Sequence, residues 1–143
     1  MDEILNLKSQ VCFPIYTLSR EIIHQYRPFL DELEITYSQY LVLMVLWEQE
    51  PQTVNQIGKK LYLDSGTLTP LLKRLELKKF ITRTRKPSDE RVVEIGLTEN
   101  GHELKSKAVL IPQKVAEAMS VSSEELLELK EIVMKILNKT KCS

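Results

Sequence analysis

Cysteine and histidine are scarce in this chain: two of each stand among its 143 residues. The histidines, His24 and His102, are scattered, and the cysteines, Cys12 and Cys142, are 130 positions apart. A zinc site needs clustered ligands, and a catalytic thiol needs a base beside it. The spacing therefore predicts no metal, no cofactor and no enzyme. Nor do two distant cysteines make a disulfide framework, so both are expected to rest as thiols. Long apolar runs are missing as well. The longest, Tyr40 to Trp47, is eight residues, against about 20 for a membrane-crossing helix, so no membrane is among the expected partners. Met1-Asp2-Glu3 is acidic where a secretory leader is basic, which points to the cytoplasm. The sequence has no internal repeats, linkers or low-complexity tracts, and its length suits one domain or one compact protomer.

The formal net charge is zero, yet the charges are sorted along the chain. Residues 59–91 carry ten basic and four acidic side chains, whereas residues 1–58 carry three basic and eight acidic ones. Half of all Lys and Arg thus fall in 33 consecutive positions, a segment suited to a polyanion.

Apolar residues recur three and four apart through Leu7, Val11, Ile15, Leu18, Ile22 and Tyr26. That spacing predicts a helix over about 5–33, bent at Pro14 and with Pro28 near its end. A second helix over about 38–48, with Thr36 or Ser38 as cap, is apolar nearly all round and should be buried. Thr53-Val54-Asn55-Gln56 is a capping box opening a short helix to about Leu61. Asp64-Ser65-Gly66-Thr67 offers caps for another to about Lys78, with Pro70 near its start. Residues 80–85 and 92–97 are β-prone around a loop at 86–90. Thr98 caps a long helix to about Ser120, bent or broken at Pro112, and Ser122-Ser123-Glu124-Glu125 opens a last one to about Asn138. The expected fold is mainly α with a β-hairpin wing: a winged helix-turn-helix in the order α-α-α-α-β-β-α-α. Residues 36–97 of the single 1–143 protomer would be the reader, and the amphipathic segments 5–33 and 98–138 the dimerisation helices. Two readers one helical turn apart fit a pseudo-palindrome in double-stranded DNA.

Within the reader, the small polar start of the fourth helix, Ser65, Gly66, Thr67 and Thr69, suits phosphate oxygens and base edges. Pro70 shapes that first turn, and Lys73 and Arg74 follow a turn later, within reach of phosphate or guanine. The wing adds Arg83, Arg85, Lys86 and Arg91, and a wing arginine suits the narrow minor groove. Asp89, two residues before Arg91, could hold its guanidinium through a bidentate pair. If each protomer neutralises about three to five phosphates, a dimer would show a salt slope of roughly −5 to −9.

Cys12 opens a second theme. It lies in Val11-Cys12-Phe13-Pro14-Ile15-Tyr16, and further tyrosines follow at 26, 37 and 40. The thiolate is the reactive form of a cysteine and is only a few per cent populated for an ordinary thiol near neutral pH; tyrosine hydroxyls donating to sulfur favour it. Tyr16, four residues on, shares a helical face with Cys12. Tyr26 is fourteen residues on, about four helical turns, so it could meet a Cys12 only across a dimer interface.

Asp89-Glu90-Arg91 followed by Leu97-Thr98-Glu99-Asn100-Gly101 resembles the wing signature of the MarR family of winged-helix regulators. Cys12-Phe13-Pro14-Ile15-Tyr16, Gln25-Tyr26-Arg27-Pro28 and Ile35-Thr36-Tyr37-Ser38-Gln39-Tyr40 resemble the cysteine and tyrosine segments of its organic hydroperoxide repressor (OhrR-like) branch. The segment from Leu61 to Arg74 resembles that branch's recognition helix. The resemblance implies a homodimeric repressor whose Cys12 reacts with an organic hydroperoxide, supported by Tyr16, Tyr26 and Tyr37, and which then leaves its operator. Contact between the cysteine and tyrosines of the opposite subunit is likewise implied. Cys142 is expected to be an exposed bystander near the terminus. Two other readings use the same reader: a regulator controlled by a small aromatic ligand with Cys12 merely structural, and a broader thiol-based global regulator.

Overall fold

In the computed structural model, which describes residues 2–141, the elements separate into two compact units. Cys142 lies outside the described residues. One unit takes in residues up to Gln25 and from Leu110 onward; the other spans Tyr26–Val109. A single helix, α1 (Cys12–Glu32), contributes to both.

In the first unit, two short 3-10 turns, Asp2–Leu5 and Leu7–Ser9, stand where the periodicity predicts the first turns of a helix. The reason is Pro14. A proline lacks the N–H that an interior turn needs, but near a helix start that N–H has no partner anyway. The helix therefore begins at Cys12, and Pro14 sits in its first turn instead of bending it. Pro28 lies inside α1 near its end, four residues before Glu32, as expected.

The second unit holds most of the core. The end of α1 packs with α2 (Tyr37–Glu48), α3 (Val54–Leu61), α4 (Ser65–Leu77) and α5 (Glu99–Ala108) around Leu30, Leu43, Leu46, Ile57, Leu68, Leu72, Leu75, Ile81 and Ile95. Helix α2 begins on a full capping box: Gln39 N–H donates to Thr36 Oγ1, and Thr36 N–H donates to the Gln39 side chain. A three-stranded sheet in the order β1-β3-β2 is built from β1 (Gln52–Thr53), β2 (Ile81–Lys86) and β3 (Asp89–Leu97). Strand β1 is absent from the sequence expectation, because two residues carry no periodicity to read. It forms because the buried Gln52 side chain donates to Val45 O (3.0 Å) and Gln49 O (2.5 Å), holding the chain end of α2 beside β3. The wing turn is also tighter than expected: the strands extend to Lys86 and from Asp89, so residues 86–90 are mostly strand, with a register irregularity between Arg85 and Lys86.

The helix expected from Thr98, bent or broken at Pro112, is broken just before that proline. Helix α5 ends at Ala108, and α6 (Ile111–Ala118) restarts with Pro112 in its first turn. Helix α7 (Ser123–Lys141) opens on the expected capping box, with Glu125 N–H donating to Ser122 Oγ and Ser122 N–H to the Glu125 carboxylate. The order is thus α1-α2-β1-α3-α4-β2-β3-α5-α6-α7 among the described residues. Leu126, Leu129, Val133 and Ile136, spaced three, four and three apart on α7, are all exposed in the single chain.

Candidate functional site

Two tight connections aim the reader. Helix α3 starts on the Thr53–Gln56 capping box and ends at Tyr62, whose left-handed backbone (φ 57°) turns the chain. Leu63 N–H then donates to Gly58 O at 2.9 Å. Gly58 permits that closure: a Cβ there would stand 2.6 Å from the Leu63 carbonyl oxygen. Helix α4 starts immediately afterwards, and its cap is Asp64, not Ser65 or Thr67, since Thr67 N–H donates to Asp64 Oδ1 at 2.7 Å. That bond holds the Asp64 carboxyl below the usual aspartate range. With the cap supplied by Asp64, the side chains of Ser65 and Thr67 stay exposed beside Gly66. Pro70 lies deeper in α4 than expected, in its second turn, so the Gly66 carbonyl lacks its usual intrahelical donor. Lys73 and Arg74 are exposed a turn further on.

The wing stands beside this helix. A groove of about 440 Å³ is lined by Thr53 and Asn55 from the start of α3, Ser65 and Thr69 from α4, and Arg83 and Arg91 from the wing. The basic wing residues are held differently. Arg83 is half-buried and reaches Glu76 of α4 at 3.7 Å, while its Nε is buried without a partner. Arg85 donates to Glu90 O across the hairpin at 2.8 Å. Lys86 pairs with Glu94 at 3.2 Å. Arg91 has a side chain 92% exposed, and Asp89 Oδ1 accepts from both its backbone N–H (3.1 Å) and its Nε (3.2 Å). The expected fork-on-carboxylate pair is thus replaced by one oxygen taking two donors.

The wing root explains the Leu97–Gly101 motif. Thr98 caps α5, its Oγ1 accepting from Gly101 N–H at 3.1 Å and donating to Lys79 O at 2.6 Å. Thr98 N–H donates to Phe80 O. Gly101 is required because a Cβ would fall 2.2 Å from that same carbonyl oxygen.

The thiol-related residues divide between the units. Cys12, the first residue of α1, is exposed, and Tyr16 one turn on is exposed with the Arg20 guanidinium 5.0 Å over its ring. In the second unit Tyr26 of α1 meets Tyr37 of α2, ring centroids 5.0 Å apart. Sequence reasoning left Tyr40 out of the site, yet its ring is 5.8 Å from Tyr26 and 6.1 Å from Tyr37. The three-residue spacing from Tyr37 was the available signal. Burial, and then the neighbouring Tyr40 and Tyr37, push the Tyr26 hydroxyl up to about 12; burial raises those of Tyr37 and Tyr40 too. These phenols therefore remain protonated donors at neutral pH. Thr53 and Asn55 were also missed as groove residues, their capping-box role having explained that segment already.

Comparison with known proteins places this geometry. The family model described as transcriptional regulator SarA/Rot matches residues 24–108. The organic hydroperoxide resistance transcriptional regulator of Bacillus subtilis is 51% identical over 133 residues, covering 93% of this chain and 90% of the relative. The HTH-type transcriptional regulator SarZ of Staphylococcus saprophyticus is 40% identical over 133 residues, covering 93% and 91%. Among solved structures, reduced AbfR bound to DNA, a protein known from Staphylococcus epidermidis, superposes with a TM-score of 0.79 at 37% identity, covering 97% of this chain and 98% of that one.

Proposed function

Since the chain belongs to the SarA/Rot-type, MarR-like winged-helix transcriptional regulators, in their organic hydroperoxide branch, we propose that it is a redox-controlled repressor that acts in the cytoplasm as a homodimer on a pseudo-palindromic operator. Residues 36–97 serve as the reader and residues 5–33 and 98–138 as dimerisation helices. In the reader, Ser65, Gly66, Thr67, Thr69 and Pro70 present the start of α4 to the major groove. Lys73, Arg74, Arg85 and Lys86 meet phosphates, Arg91 enters the minor groove, and Asp89 and Arg83 set the wing. The groove that gathers Ser65, Thr69, Arg83 and Arg91 from three elements carries this reading.

The switch is Cys12. Its sulfur attacks the distal oxygen of an organic hydroperoxide; an S–O bond forms, the O–O bond breaks, and the alcohol leaves with a proton. Sulfur is oxidised by two electrons to the sulfenic acid and the peroxide is reduced. Exposure of Cys12 at the start of α1 and the protonated Tyr26–Tyr37 pair support the assignment. Tyr16 is the supporting hydroxyl on the same helical face, whereas Tyr26 and Tyr37 act on the partner's thiol. A hundredfold loss of operator affinity corresponds to about 2.7 kcal/mol, within reach of a few disturbed hydrogen bonds. The test is operator binding under cumene hydroperoxide titration beside Cys12→Ser: wild type should dissociate and the variant should stay bound. Equal release of both would sink the proposal.

A further inference from the structure

The second unit contains a stiff connection from the tyrosines to the root of the wing. Tyr37, Tyr40 and Trp47 lie along one stretch of α2, three and seven residues apart, and Tyr40 is only 2% exposed. Tyr40 packs against both Tyr26 and Tyr37 and also meets the Trp47 ring edge-on, centroids 6.3 Å apart at 70°. Trp47 Nε1–H donates to Gly101 O at 2.9 Å. Gly101 N–H donates to Thr98 Oγ1, and Thr98 N–H donates to the Phe80 carbonyl, one residue before β2 begins. Each link is a ring with two torsions or a backbone group fixed by a cap, so little slack separates the tyrosines from the wing.

We propose that Tyr40 and Trp47 are positioning residues that couple the state of the thiol-supporting tyrosines to the wing root, through the Tyr40–Trp47 ring contact and the Trp47–Gly101 hydrogen bond. The proposal rests on the redox reading above. A chain of contacts becomes a coupling only when both ends bias it, so the measured quantity must be a ratio between two states. A DNA duplex selected against the reduced protein serves as probe. Its affinity is measured for the reduced protein and after cumene hydroperoxide, and the sulfenic-acid yield at Cys12 is followed by intact mass in the same samples.

For wild type the ratio of reduced to oxidised affinity should be large. Trp47→Phe keeps one aromatic ring but removes the N–H donor along with the indole's second ring; it should be oxidised to the same extent yet lower the ratio about tenfold. Tyr40→Leu should lower it similarly, and Tyr40→Phe, which restores the ring, should recover it. If Trp47→Phe and Tyr40→Leu leave the ratio at the wild-type value, shifting both affinities together or not at all, the residues are structural and the coupling is overturned. Retention of DNA by fully oxidised wild type is a separate result, which removes the redox reading itself.

Discussion

Arg83 and Arg91 stand on the same hairpin but are held differently. Arg83 is largely covered and pairs with Glu76 of α4, whereas Arg91 projects with nine-tenths of its side chain in solvent. Its exposure lets the second exchange its Asp89 contact for a phosphate or enter a groove. Arg91→Ala should cost about 1–3 kcal/mol in operator binding and flatten the salt slope by about 1 per protomer. Arg83→Gln should leave the slope unchanged, because its guanidinium is largely covered beside Glu76. Fluorescence anisotropy across a salt series checks both; a slope reduced equally by the two variants would mean Arg83 contacts the backbone after all. The sequence could not separate these residues. Asp89 beside Arg91 is a local partner, but Glu76 beside Arg83 is set by the proximity of α4, which is not local, and which side chain stays in solvent depends on that packing. Arg85 and Lys86 fall between these cases, since exposed pairs such as Lys86–Glu94 are worth about 0–1 kcal/mol and exchange readily for phosphate.

At the scale of elements, what could be read in advance followed from local chemistry. The boxes at Thr53 and Ser122 were legible because Thr or Ser followed three residues later by Gln or Glu is a closed local circuit; at α2 the sequence pointed only to a cap at Thr36 or Ser38, and Thr36 forms a full box too. The two-residue β1 and the start of α1 were not legible, since one depends on Gln52 reaching back to α2 and the other on how a proline trades against continuing periodicity. The cap of α4 carries a pH dependence of its own. Asp64 accepts from Thr67 N–H, which lowers its folded-state pKa below the unfolded value. The first turn of the recognition helix is therefore fully held above the ordinary aspartate range, and that hold is lost as pH falls through the lowered value. The Thr67 amide resonance should titrate with a midpoint below an ordinary aspartate's, and Asp64→Ala should abolish the step and speed exchange of that amide at neutral pH. A Thr67 titration at the usual aspartate value would remove Asp64 as the cap.

For the whole molecule, α7 poses a question that a single chain does not answer. None of its residues from Ser123 to Lys141 is buried, yet Leu126, Leu129, Val133 and Ile136 form an apolar stripe at coiled-coil spacing. Leu5, Leu7, Val11, Phe13 and Ile15, near the other end of the chain and in the same unit, are exposed too. Apolar surface on this scale, drawn from both chain termini, is what a second copy would cover. The periodicity of both segments made this legible in the sequence, and the pairing geometry was not, because it is a property of two chains. A charge at the centre of the stripe would have to be buried without a partner in the dimer while costing the exposed helix of a monomer little. Val133→Asp should therefore weaken self-association at least a hundredfold, about 2.7 kcal/mol, with helix content in circular dichroism retained. Operator affinity should fall with it, and the salt slope should drop toward the value for one reader, since a lone protomer meets only half the phosphates. Sedimentation and anisotropy on the same samples test the link. A monomeric Val133→Asp that keeps the full slope would show that one reader suffices and that the two-reader geometry is wrong.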